Sequence, residues 1–462
     1  MPPAKRAKTD GAVSAPDHAS PKDAPATPGV TPPLIATLVR APPLHGTTHV
    51  LGTRNLIRET IAEMLTQAGR AKADVDLTLG DPTKFGAPFE VPRAFEDALV
   101  DAVRSRAHNG YVPAMGTEEA RAAVAGTRRG ASAGDVVVTS GCSAALEMAL
   151  RALAGPGDVV AVPCPAFPLY ETILEVLGVS EVRYALDPAG GDFLVDLASL
   201  AGAARAVPAP ARVKAVVFNN PSNPAGSVWP LEHLARVVDA TRELFPDAVL
   251  LADEVYDEVV FGRVPFHAMG VLAAERGVPA VTEGGVSKNW MAPGWRLGWL
   301  IAHDPAGRAG RLDEFRRTTR QLSAVTMGAC TVMQAALPAV LAPRSRETRE
   351  ELAQFRARTN DALRQGAAAL ARRLRAIDGV GVHAPQGAMY MFATLDLAKL
   401  GGFQSARELC QALLEREGLL LLPGECFRAP FPCIRISIAV PEHVLMDAAD
   451  RLARFQAGAA RG

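Results

Sequence analysis

Four short apolar runs stand out along the chain: Val136-Val137-Val138, Val159-Val160-Ala161-Val162, Ala215-Val216-Val217-Phe218 and Ala248-Val249-Leu250-Leu251-Ala252. Longer amphipathic stretches such as Leu231–Leu244 separate them. None of the runs alternates polar with apolar residues, so each predicts a strand buried on both faces. Strands of that kind interleaved with helices are the pattern of an α/β protein with a mainly parallel sheet. There is no internal repeat.

At 462 residues the chain exceeds the size at which one core stops growing, roughly 250–300 residues, so more than one lobe is expected. Leu56, Ile57, Ile61, Met64 and Leu65 recur at helical spacing and predict a helix from Asn55 to about Ala71. After about residue 345 the pattern changes to a long helix, Glu347–Ile377. Strand-like Ala388–Thr394, Leu419–Leu422 and Cys433–Val440 follow, with a helix Ser405–Glu417 among them. The division expected is a structureless Ala/Pro-rich tail (1–45), a segment joining the small domain (46–89), a large α/β domain (90–341) and a smaller α+β domain (342–462).

Lys plus Arg equals Asp plus Glu, 49 against 49, so no charge excess recruits nucleic acid or an anionic membrane. No apolar run approaches the roughly 20 residues of a membrane span. A secretory leader is not expected either. The six cysteines form no CxxC pair, so no metal site is expected and reduced thiols in a cytosol-like compartment fit best. The Pro3–Lys8 cluster reads as a solvated basic run, with nuclear import as the alternative. Asp10, Asp17 and Asp23 disfavour an organellar transit peptide.

Five segments place polar residues after apolar runs, where ligands collect in doubly wound sheets. Thr139–Ala145 joins a Val strand to a helix, and its small residues let amides approach an anion or simply make a tight turn. Asn219–Gly226 carries two Asn-Pro pairs that hold the backbone away from helix. Asp253 ends a buried strand with Tyr256 three residues on; it suits a cationic ring nitrogen, or a helix N-cap. Gly284–Trp299 sets Lys288 in an apolar, Gly-rich stretch, where desolvation makes a lysine nucleophilic. Arg296 follows, suited to phosphate through paired hydrogen bonds. Arg435 interrupts an apolar strand; a buried arginine needs a partner such as a substrate carboxylate, whereas an edge-strand arginine would face solvent.

Taken in order, Gly80-Asp81-Pro82-Thr83, Asn109-Gly110-Tyr111, Ser140-Gly141-Cys142, Asn219–Gly226, Asp253–Tyr256, Ser287–Trp299 and Arg435 resemble the class I aminotransferases of fold type I, and among them most the tyrosine aminotransferases. Pro165–Tyr170 and Gly387–Met391 carry the same resemblance, which runs from about Asn55 to Phe455. It implies a seven-stranded-type sheet, pyridoxal 5'-phosphate as cofactor, and a homodimer. Lys288 would form the Schiff base and move the α-proton. Asp253 would hold the ring nitrogen protonated. Tyr256 and Asn223 would bond the phenolic oxygen, and Phe167 would stack on the ring. Gly141, Cys142, Ser143, Ser287 and Arg296 would bind the phosphate, joined by Tyr111 from the partner subunit. Arg435, with Gly80 and Asn223 nearby, would take the substrate α-carboxylate.

The implied reaction moves an amino group from an aromatic L-amino acid, L-tyrosine foremost, to a 2-oxo acid, 2-oxoglutarate foremost. Two departures bear on it. Many relatives have a serine three residues before the lysine, where this chain has Gly285. The stretch Leu322–Gly328 has neither the arginine that aspartate aminotransferases use for a side-chain carboxylate nor the one that tyrosine enzymes commonly carry near Val325. An apolar substrate side chain suits it better than aspartate. Competing readings on the same scaffold are an alanine, kynurenine or nicotianamine aminotransferase, or a cysteine-conjugate β-lyase. A non-catalytic regulator is the reading of a different class, and no basic recognition helix supports it.

Overall fold

The computed structural model describes residues 38–39, 55–69, 73–209 and 211–459, all within one compact unit, Pro33–Gly462. The basic cluster at Pro3–Lys8 lies outside the described residues, as does nearly all of the expected tail.

In chain order the strands are β1 (Leu38–Val39), β2 (Val75–Asp76), β3 (Val136–Thr139), β4 (Val159–Cys164), β5 (Ser180–Asp187), β6 (Leu194–Val195), β7 (Val213–Asn219), β8 (Val249–Asp253), β9 (Ala280–Gly285) and β10 (Gly298–His303). A second group follows: β11 (Val380–His383), β12 (Tyr390–Leu395), β13 (Leu419–Leu420), β14 (Leu422–Pro423) and β15 (Cys433–Ser437). The main sheet has nine strands in the order β1-β5-β4-β7-β8-β9-β10-β3, with β6 beside β5. The four apolar runs form β3, β4, β7 and β8, and every residue of β3, β4 and β8 is buried.

β4, β5, β7, β8 and β9 run parallel. β10 runs antiparallel between β9 and β3, so the sheet is mixed. The physical reason is the connection Val286–Leu297. It carries no long crossover helix, so the chain turns back beside the strand it has just left. Lys288 and Arg296, both in that connection, therefore stay at one end of the sheet.

Leu38–Val39, expected in the structureless tail, instead forms an edge strand antiparallel to β5, with Leu38 opposite Val182. An edge offers unpaired backbone groups to any extended segment, whatever its side-chain pattern. β5 and β11 were likewise not marked by apolar runs.

The second sheet has the order β11-β12-β15-β14. The expected strand Leu419–Leu422 divides in two: β13 pairs with β2, and β14 pairs with β15. β15 stops at Ser437, whose amide turns to the Leu77 carbonyl at 2.9 Å. The long helix spans Arg346–Leu374, capped by Ser345 Oγ accepting from the Thr348 amide at 3.0 Å. Ser405 caps the helix Ala406–Glu417 in the same way, accepting from the Glu408 amide at 3.1 Å. The helix at Asn55 spans Leu56–Ala68 and is tied to Ala406–Glu417 by Gln411 Nε2 donating to the Met64 carbonyl at 3.3 Å. Among the described residues no helix is long and apolar enough to cross a membrane.

Candidate active site

Lys288 sits in the four-residue helix Val286–Asn289, directly after β9. Its Nζ donates to the Gly80 carbonyl at 2.7 Å. Ser287 beside it is buried. The resemblance left open what stands in for a serine at Gly285. A Cβ there would lie 3.0 Å from the Leu297 carbonyl oxygen and 3.6 Å from Cys142 Cβ, so a larger residue would need the neighbouring backbone to give by a few tenths of an ångström.

Asp253 ends β8, 6% exposed. The Tyr170 hydroxyl donates to its Oδ2 at 2.5 Å, and the Val255 amide reaches Oδ1 at 3.3 Å. Burial raises the Asp253 carboxyl above its ordinary range, and both donors pull the other way. The strand-end position of Asp253 is realised, whereas no helix begins there: its carboxyl holds the turn that follows and caps no helix.

Gly141 is the N-cap of the helix Cys142–Leu153, with no side-chain cap. It adopts φ +92, and a Cβ on it would run into the Arg296 guanidinium. A Cβ on Gly298 would lie 2.5 Å from the Cys142 amide. Bare glycines on two elements thus leave the amides of Cys142 and Ser143 approachable at a helix N-terminus. Arg296 is poised across this cradle, Nη1 donating to the Pro293 carbonyl at 2.9 Å and Nη2 reaching the Ser140 carbonyl at 3.4 Å. Half-buried Phe167 meets Tyr170 edge-on at 6.0 Å between centroids.

Arg435 is buried within β15, between β12 and β14, so it is no solvent-facing edge charge. Its guanidinium lies 4.1 Å from the Tyr390 ring centroid and 4.7 Å from that of Phe427. Nη1 donates to Asn223 Oδ1 at 2.9 Å, and Nη2 donates to the Thr78 carbonyl. Nε has no partner. Burial lowers its pKa, and no ion pair among those found involves it, so it is a cation in want of an anion.

Tyr256 donates to the Tyr390 hydroxyl at 3.2 Å, both side chains being buried. Burial pushes the Tyr256 phenol up. Burial raises Tyr390 too, but the charges of Lys288 and Arg435 and the bond from Tyr256 bring it below its ordinary value. Nothing in the sequence around Tyr390 or Tyr170 assigns either a role of its own. Their only signal was membership of the Gly387–Met391 and Pro165–Tyr170 stretches. Tyr111, by contrast, is 89% exposed.

Lys288, Gly80, Tyr390, Arg435, Asn223 and Tyr256 thus touch one another in a chain of contacts. Residues 72–452 match the family model of aminotransferase class I and II. The chain belongs to this family. A tyrosine aminotransferase of Mus musculus is 34% identical over 408 residues, spanning 87% of this chain and 85% of that protein. An S-alkyl-thiohydroximate lyase of Arabidopsis thaliana is 31% identical over 390 residues, 83% of this chain and 80% of that protein. The crystal structure of tyrosine aminotransferase from Leishmania infantum superposes with a TM-score of 0.79 at 29% identity, covering 90% of this chain and 99% of that one. This aminotransferase is pyridoxal-phosphate-dependent, acts on amino acids and 2-oxo acids, and has the fold type I architecture. The site fits that cofactor: a buried carboxylate for a ring nitrogen, a glycine cradle with an arginine for a phosphate, and a lysine just after β9, the strand paired with the one that Asp253 ends.

Proposed function

We propose that this aminotransferase moves the amino group of an aromatic L-amino acid, L-tyrosine foremost, to 2-oxoglutarate. The carrying observation is Arg435, a buried guanidinium without an anion, held against Tyr390, whose ring also lies under Gly80 beside Lys288. A substrate α-carboxylate on Arg435 brings the α-carbon toward Lys288. The relatives bearing the tyrosine name support the donor.

The bound cofactor supplies an electron sink for the α-carbon. Asp253 holds the ring nitrogen's proton, helped by Tyr170. Tyr256 and Asn223 bond the phenolic oxygen, and Phe167 covers the ring. Gly141, Cys142, Ser143, Ser287 and Arg296 take the phosphate. Lys288, released from the Gly80 carbonyl, would hold the cofactor and move the substrate's α-proton. Gly80 and Asn223 flank the carboxylate.

Three further assignments belong to this reading. Tyr111 serves the phosphate of a second copy in a homodimer. Thr331 Oγ1 reaches the Gly110 carbonyl at 3.4 Å, so the Tyr111 loop adjoins the segment carrying Val325 and Met327. These three are 89%, 78% and 59% exposed, an apolar surface suited to a second copy. Residues 90–341 and 342–462 act as large and small domains, with 46–89 joining the latter. The six free thiols support a reducing, cytosol-like compartment.

The test is the visible absorbance of the purified protein before and after L-tyrosine. A cofactor band that shifts to the aminated form and recovers with 2-oxoglutarate supports the reading. A band that responds only to another amino acid overturns the donor. The Arabidopsis lyase keeps elimination from a cysteine conjugate as a second reading, for which the products are a thiol, pyruvate and ammonia in place of the 2-oxo acid that keeps the donor's side chain. Lys288→Ala removes the group that moves the proton, so turnover should fall by at least about 10²–10⁴-fold.

A further inference from the structure

Glu283 is wholly buried on β9, directly opposite Asp253 of β8 in the strand register. Neither of its carboxyl oxygens has a hydrogen-bond partner among the described residues. One carboxyl oxygen of each residue and Cys142 Sγ all lie within 4.8 Å of one another. On the other side, β10 presents Leu300 to Glu283. The titratable groups that face it are therefore Asp253 on β8, Tyr170 on the helix Leu169–Leu177 and Cys142 on the helix Cys142–Leu153, with Arg296 acting on Cys142 from the loop. Burial and both carboxyls hold the Cys142 thiol far from ionising, which speaks against this trio as a metal site.

Two carboxylates this close in a dry pocket do not both ionise unless a cation faces them. Tyr170 and the Val255 amide donate to Asp253, and nothing donates to Glu283. The anion thus settles on Asp253 and the proton on Glu283. Burial, then the Asp253 charge, hold the Glu283 carboxyl well above its usual range.

We propose that Glu283 is a positioning residue, a reserve acid beside Asp253 that ionises in place of the cofactor's ring nitrogen. The inference rests on Asp253 being that nitrogen's partner, as proposed above. The step is a proton loss alone. As pH rises the Glu283 O–H bond breaks, its proton passes to solvent base and Glu283 is left as the anion, while the N–H bond at the ring nitrogen is kept. That new charge, beside Asp253, holds the nitrogen's proton by attraction. The ring thus stays protonated to a higher pH than Asp253 alone would sustain.

The experiment is nitrogen-15 NMR of the holoenzyme loaded with ring-labelled pyridoxal phosphate, followed from neutral to alkaline pH. Two acid-free variants are used, Glu283→Gln and Glu283→Leu, the second filling the pocket beside Leu300. Glu283→Asp keeps an acid. In the acid-free variants the nitrogen should deprotonate at lower pH, with a proton affinity about tenfold weaker; Glu283→Asp should stay near the parent. Acid-free variants that bind cofactor and titrate like the parent overturn the reserve-acid role and leave the Asp253 assignment standing. A parent enzyme whose bound ring nitrogen is unprotonated at neutral pH overturns the Asp253 assignment, and this inference with it.

Discussion

The Tyr170 hydroxyl stands 2.5 Å from Asp253 Oδ2, two buried groups 83 positions apart in the chain. The bond is charge-assisted, and such bonds contribute about 1.5–3 kcal/mol. Tyr170→Phe keeps the ring against Phe167 and removes the donor. Cofactor affinity should then fall roughly ten- to a hundredfold, read by absorbance titration of the apoenzyme. Unchanged affinity would show that the hydroxyl is only packing.

Arg435 combines a planar fork with stacking on Tyr390 and Phe427. Lysine reproduces the charge but neither the fork nor the stack. Arg435→Lys should raise KM for the amino acid by about 10- to 100-fold, with the cofactor spectrum retained. A variant with parental KM would remove Arg435 from the substrate site.

Gly80 should tolerate no side chain. A Cβ there collides with the Tyr390 hydroxyl, while the Gly80 carbonyl holds Lys288. Gly80→Ala is expected to displace one or both and to lower kcat/KM by roughly tenfold or more. A steady-state assay with full kinetics near those of the parent is the opposing result.

If Tyr111 completes the site of a second copy, two inactive variants should rescue each other. Mixing Lys288→Ala with Tyr111→Ala under exchange yields heterodimers with one intact site. Activity should return to about one quarter of the parent's. No recovery, with exchange verified by mass, would place Tyr111 outside the shared site.

Burial pushes the His303 imidazole down from 6.5 to about 4, and its ring nitrogen lies 3.0 Å from Thr282 Oγ1. A group harder to protonate when folded contributes its stability above the unfolded value and loses it as pH falls through the folded one. His233, also lowered from 6.5 to about 4, behaves alike. Melting temperature should therefore fall between pH 6.5 and 4, and less steeply in His303→Gln. Equal slopes in parent and variant would falsify this assignment.

Much of the architecture was legible because it rests on local rules. Continuous apolar runs announce strands covered on both faces, and Val136–Val138 or Val249–Leu251 need no tertiary information to be read. Polar or small residues just beyond such runs mark a crevice at the strand ends, so Asp253, Asn223 and Gly141 stand out as candidates in the sequence alone. Lys288 and Arg435 were conspicuous as cations amid apolar or glycine-rich residues. Strand direction was not legible, because an apolar run reads the same either way. β10 reversed only because its connection holds no crossover helix.

What tertiary structure alone decided are the pairings between distant polar groups. A tyrosine or glutamate in a strand or helix carries no local mark of what it will face. Only the fold brought Tyr170 to Asp253, Tyr390 to Tyr256 and Arg435, and Glu283 across from Asp253. The sequence determined which side chains are candidates for the chemistry, through residue type and the ends of apolar runs. The packed sheets, by excluding water, decided which of them feel one another's charge.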